Sequence, residues 1–124
     1  MIPTSVRIFV CTEPQDMRRS FDALALEVKE LLGQDPQSGA LYAFVNKRAN
    51  RIKVLWFDRN GYCILYKRLH RARFVLPARR ESGEVAMRID ARALAAILRG
   101  VESDRGARFV LDERSSFDHQ AARD

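Results

Sequence analysis

Residues 52–69 read Ile52-Lys53-Val54-Leu55-Trp56-Phe57-Asp58-Arg59-Asn60-Gly61-Tyr62-Cys63-Ile64-Leu65-Tyr66-Lys67-Arg68-Leu69. Two runs rich in β-branched and aromatic residues flank Asp58-Arg59-Asn60-Gly61, a composition that favours a hairpin turn. Strands are expected over 52–58 and 62–69. If Asn60-Gly61 is a two-residue turn, Arg59 pairs with Tyr62. Ile52, Val54 and Trp56 then share a face with Cys63, Leu65 and Leu69, while Leu55 and Phe57 join Tyr62, Ile64 and Tyr66 on the other. A bulge at Gly61 would change the facing, so the register stays open. Both faces are apolar in the middle, which makes this hairpin central and covered from both sides.

Outward from the hairpin, Leu41 to Asn46 is a preceding strand, joined to it by the basic loop 47–51. Val6 to Cys11 is a further strand, bounded by Pro3 and Pro14. Between them Phe21, Leu24, Val28, Leu31 and Leu32 recur at helical spacing. Asp16 or Ser20 is placed to cap that helix and Gly33 to stop it. Residues 35–39 form a turn. Downstream, 71–77 reads as a connector, 79–83 as a polar loop and 85–89 as a short strand. Asp90 caps a second helix carrying Leu94, Ile97 and Leu98, which Gly100 ends. The class is therefore α+β: a single domain over 1–102, with a mainly antiparallel four-to-five-stranded sheet and two helices. Residues 103–124 are polar with one apolar patch at Phe109-Val110-Leu111, and read as a mobile tail or an added strand.

The chain has 124 residues, 47% of them hydrophobic, enough for one core without a metal or disulfide. Its two cysteines, Cys11 and Cys63, lie far apart in strand-like runs and read as small buried hydrophobes. No apolar run reaches membrane-spanning length, and no signal peptide is visible, so a cytoplasmic location is expected.

Charge is distributed unevenly. The net charge is +6, but residues 47–80 alone carry +10, with Asp58 the only acid among eleven cations, and the remainder carries −4. Concentrated positive charge on a folded chain is the electrostatic footprint of a nucleic-acid binder. The candidate contacts are Lys47, Arg48, Arg51, Lys53, Lys67, Arg68, Arg71 and Arg73, together with Arg18 and Arg19. Two readings of Arg18 and Arg19 stay open. They open the first helix and help its positive end hold an anion, or the helix starts at Ser20 and both sit in a loop. Tyr62 and Tyr66 share a strand face, either to stack on bases or to pack.

Catalytic patterns are missing. Phosphate loops, GxSxG and HExxH do not occur, and His70 and His119 are poorly placed for a nucleophilic site. Asp16, Asp22 and Asp58 read as a cap, a helix-face residue and a turn residue rather than a two-metal cluster. A non-enzymatic protein with no cofactor or metal is expected.

Three stretches carry a resemblance. They are Asp16-Met17-Arg18-Arg19-Ser20-Phe21-Asp22, then Gly39 through Asp58 with its Arg51-Ile52-Lys53-Val54-Leu55-Trp56 core, then Tyr66-Lys67-Arg68-Leu69 followed by Arg73-Phe74. In this order, from about Val6 to Val101, the chain resembles the small accessory proteins, often called TnpB, of insertion sequence 66 family elements. These are distinct from the RNA-guided nuclease that shares the TnpB name. Three departures stand out. His70-Arg71-Ala72 replaces a common Glu-Arg-Gly, Leu76 replaces a Trp, and the chain runs on past Glu102. The resemblance implies an accessory role in transposition beside a separate DDE-type transposase, without DNA cleavage by this protein. Combined with the charge, the expected partners are element-end DNA, bound mostly through its backbone, and the transposase, with homo-oligomers compatible. The competing expectation is an adaptor for the transposase with little DNA contact.

Overall fold

The hairpin within residues 51–68 turns around Arg59 and Asn60, not Asn60 and Gly61. In the computed structural model, which describes residues 5–77 and 83–102, β3 (Arg51–Asp58) pairs antiparallel with β4 (Gly61–Arg68) from Arg51↔Arg68 to Asp58↔Gly61. Arg59 takes the positive φ, 56°, so Gly61 is released to begin the returning strand. The pairing therefore lies two residues from the Arg59–Tyr62 register that an Asn60-Gly61 turn would give. Strand side chains alternate with period two, so an even slip leaves each on its expected face.

The other elements are β1 (Ile8–Cys11), α1 (Phe21–Glu30), β2 (Leu41–Val45), β5 (Ala72–Arg73), β6 (Ala86–Ile89), α2 (Ala91–Arg99) and β7 (Val101–Glu102). The main sheet has the order β4-β3-β2-β1-β6. Its pairs are antiparallel except β1 with β2, which run parallel from Ile8↔Leu41. That exception follows from α1, which carries the chain back across the sheet between β1 and β2, as a parallel connection requires. The expected connector contains β5, which pairs with β7 as a separate two-stranded sheet. Residues 103–124, expected as a tail or added strand, and the Arg79-Arg80 loop lie outside the described residues.

The hairpin, expected to be central and covered on both sides, lies at the sheet's edge through β4, whose second half is exposed, with Leu65 at 41%; β1, β2 and most of β3 are covered on both faces. On one, Leu24, Ala25, Val28 and Leu32 of the α1 region pack onto Phe9, Cys11, Tyr42, Phe44 and Leu55. On the other, Ile97 of α2 and Phe74 pack with Val10, Ala43, Val45, Ile52 and Val54, flanked by Trp56, Leu69 and Leu98. Tyr42 is fully buried, and its hydroxyl donates to the Asp35 carbonyl at 2.9 Å, tying down the turn before β2. Phe21, expected in the apolar stripe, is instead exposed at the helix start. Both cysteines are free; Cys11 is buried, which pushes its thiol pKa up, and Cys63 is half-buried. Asp90 caps α2 by accepting from the Ala93 amide at 2.8 Å.

Two glycines separate backbone need from packing. Gly100 ends α2 at φ 74°, and a Cβ there would lie 2.6 Å from Leu69 Cδ1 and 3.3 Å from the Arg73 carbonyl. Gly61 has no such φ and open space around it. Gly100→Ala should lower unfolding free energy by about 1–3 kcal/mol, and Gly61→Ala should change it by less than about 1 kcal/mol. Urea denaturation of both variants measures the difference.

Candidate nucleic-acid interface

The β2–β3 loop is a hydrogen-bonded knot built on Asn46. Its Oδ1 accepts the backbone amides of Asn50 at 3.0 Å and Arg51 at 2.9 Å. Its Nδ2 donates to Asn50 Oδ1 at 2.8 Å, and Asn50 is buried. The Ala49 amide donates to the Asn46 carbonyl at 3.0 Å, and Ala49 holds φ 62°. This network fixes the loop with Lys47 and Arg48 exposed at its tip. The segment after β4 is strapped to the same loop. The Leu69 amide donates to the Asn50 carbonyl and the Phe74 amide to the Ala49 carbonyl, at 2.8 and 2.6 Å. Arg71, exposed at φ 64°, lies between these straps and so comes to the end of the sheet that carries Lys47 and Arg48.

At that end the α1 face of the hairpin is also cationic. Arg51 and Arg68 are direct cross-strand neighbours, and the next pair on that face is Lys53 with Tyr66. Arg51 Nη1 donates to the Tyr66 hydroxyl at 2.7 Å. Lys53 Nζ lies 4.8 Å from the Tyr66 ring centroid and donates to the Arg19 carbonyl at 2.6 Å. Tyr66 is 48% exposed, whereas Lys53 is only 8% exposed. Tyr62 instead packs into the α1 side and meets Phe57 edge-on at 5.0 Å.

Arg18 and Arg19 precede α1, whose N-cap residue is Ser20, so the loop placement is the observed one. Met17 anchors this loop in the α1-side core, and the Gln15 amide donates to the Val45 carbonyl at 2.9 Å. Arg18 grips the Asp16 carboxylate with Nε and Nη2 at 3.1 and 2.7 Å, and its own backbone amide donates there too. Arg19 pairs with Glu27 of α1. Both are ion pairs within the chain. Arg18 and Arg19 thus meet carboxylates of their own chain and are not set against the helix dipole.

The ten candidate cations consequently divide. Lys47, Arg48, Arg51, Arg68 and Arg71 gather at one end of the sheet. Lys53 is buried between the Arg19 carbonyl and Tyr66. Lys67 points to the opposite face and donates to the Leu98 carbonyl at 2.7 Å, a favourable cation at the C-terminus of α2. Arg73 is buried in β5, and desolvation lowers its pKa. Lys53 and Arg73 are thus not placed as exposed phosphate contacts in the folded chain: a long apolar stem can be covered wherever its charged end reaches a partner. The Asn46–Asn50 knot is a feature that charge counting misses; its sequence signal is two asparagines four apart, bracketing a basic loop.

The site is therefore a basic end of a two-faced sheet, and no three His, Cys, Asp or Glu side chains converge as metal ligands among the described residues. No helix among them is long and apolar enough to cross a membrane. Residues 6–108 match the family described as IS66 Orf2 like protein, and the chain belongs to that family, the accessory proteins of insertion sequence elements. It is similar to two Sinorhizobium fredii (strain NBRC 101917 / NGR234) proteins, both described as uncharacterized. The protein y4hO is 38% identical over 104 residues, covering 82% of this chain and 88% of the relative. The protein y4jC is 33% identical over 72 residues, covering 58% and 62%. No solved structure gives a significant match.

Two tests follow from the paired arginines. The Arg18 side chain, and then its backbone amide, hold the Asp16 carboxyl at about 2, below the ordinary 3.8. This contribution to stability is complete above 3.8 and is lost as pH falls through about 2. A carboxyl carbon NMR titration should find Asp16 at the depressed value, and Arg18→Ala should return it toward 3.8. Arg19→Ala removes a half-buried charge-assisted bond to Glu27 and should cost about 1 kcal/mol in chemical denaturation.

Proposed function

We propose that this protein is a non-enzymatic accessory factor for transposition that binds element DNA through phosphate contacts at the basic end of its sheet, beside a separate transposase. The observation that carries this reading is the gathering of Lys47, Arg48, Arg51, Arg68 and Arg71 from three chain segments onto a loop held by the Asn46–Asn50 network. A fixed array of cations suits the regular spacing of phosphates, and phosphate contacts position a protein without reading base sequence. Neither helix is a groove reader by charge: α1 has only Lys29 and α2 only Arg92 and Arg99. The family supports the process, an accessory role in transposition.

The adaptor reading has its own observation. Phe21 and Leu26 of α1 are 45% and 52% exposed, two separate apolar side chains open to a partner protein. Salt separates the two, since apolar docking responds weakly to ions.

With five phosphates engaged, log K for duplex DNA should fall against log salt with a slope of about −4.5. Lys47→Glu with Arg48→Glu should flatten that slope by about 2 and weaken binding about tenfold or more at moderate salt. Element ends should be preferred over scrambled duplex by less than about tenfold. Fluorescence anisotropy across a salt series measures all three. A flat response with an intact fold favours the adaptor.

A further inference from the structure

Tyr66 stands apart from the other aromatic residues of the sheet. Phe9 and Tyr42 stack on each other inside the core, and Phe57 and Tyr62 pair edge to face. Tyr66 lies on β4, an edge strand of the main sheet, with nearly half its surface exposed. Its position is nevertheless fixed. Arg51 holds the hydroxyl at 2.7 Å, and Lys53, itself anchored on the Arg19 carbonyl, sits over one face of the ring, 4.8 Å from its centre, so a base would stack on the other face. An exposed ring held by two cations has little conformational freedom left to lose on binding. Directly beside it, Arg51 and Arg68 face each other across the strands, an arrangement of like charges that disfavours the sheet unless an anion lies between or above them.

We propose that Tyr66 is a stacking platform for an unpaired base, with Arg51 and Arg68 holding the phosphates that flank it, so that this end of the sheet binds single-stranded DNA. The inference rests on the DNA-binding reading above and names the form of DNA this site takes. In a duplex each base is already stacked and shows a protein only its edges, so a ring on a sheet surface gains nothing from paired DNA. A separated strand offers base faces, and stacking on an aromatic ring is tolerant of sequence. The neighbouring guanidinium groups supply what the base lacks, a partner for the backbone on either side.

The test uses the full chain and three labelled strands of about twelve nucleotides, the upper range for a small sheet surface. One is thymidine, one an abasic deoxyribose-phosphate strand of equal length, and one uridine RNA. Tyr66→Ala should weaken binding to the thymidine strand about tenfold while leaving the abasic strand within about twofold. Tyr66→Phe keeps the ring and should stay within about threefold of the parent on thymidine. The exposed position makes unfolding by these substitutions unexpected, and circular dichroism checks it. Equal binding of parent and Tyr66→Ala to the thymidine strand overturns the stacking site, as does an equal loss on the abasic strand. Tighter binding of the RNA strand by more than about tenfold overturns DNA as its ligand. If the parent still binds duplex DNA with a steep salt slope in these cases, only this inference fails. If the parent binds neither duplex nor any strand, both readings fail.

Discussion

A strand that is apolar on both faces must be covered twice, and β3 is such a strand. Ile52 and Val54 point to one side and Leu55 to the other, all buried. Burying a large aliphatic side chain is worth about 1.5–3 kcal/mol, so leaving the Ile52–Val54 face in water would forfeit about 3–6 kcal/mol, a large share of the ~5–15 kcal/mol by which domains are stable. The chain meets this constraint with one helix on each side. The crossover through α1 lets β1 and β2 pair parallel, while the hairpin connections of β2, β3 and β4 make those pairs antiparallel. The sheet order, the mixed pairing and the two separate cores all follow from the need to cover β3 and its neighbour β2.

The same strands end in cations, and the fold sorts them by what each can reach. Lys53 is held among the side chains of the α1 face, where its ammonium finds the Arg19 carbonyl and the Tyr66 ring. Lys67, on the other face, meets the end of α2. Arg19 ties its loop to Glu27. These charges link the helices to the sheet. Arg51 and Arg68, on the face of Lys53 but at the sheet's end, are directed by the hairpin register to stand side by side. The Asn46 network and the straps from Leu69 and Phe74 then bring Lys47, Arg48 and Arg71 to the same end. One set of residue types thus provides internal bonds and a concentrated surface charge, divided by position along the strand.

Much of this was legible beforehand. The period-two pattern of 52–69 predicts the hairpin and its two faces whichever turn closes it, because the two registers differ by an even slip; its expected central position does not hold, since β4 is an edge strand. The spacing of Leu24, Val28 and Leu32 predicts α1, and Gly33 and Gly100 mark the helix ends at positive φ. The basic segment 47–80, running through β-rich stretches, predicts a cationic surface. The motif Asp16-Met17-Arg18-Arg19 is visible as a resemblance. Its physical content, a carboxylate gripped by an arginine two residues on with a methionine anchored beneath, is not.

What the sequence by itself determined is therefore local: element types, the alternation of faces, and the segment in which positive charge accumulates. These depend on neighbours within a few residues, where geometry is set by backbone periodicity. Tertiary structure alone decided the parallel pairing of β1 with β2, the burial of Lys53 and Arg73, the Arg19–Glu27 pair and the meeting of Arg51, Arg68 and Tyr66. Each depends on contacts between segments far apart in the chain. Whether a lysine faces solvent or a carbonyl is settled by which strand lies opposite and which loop lies above, and neither is written in the residues beside it.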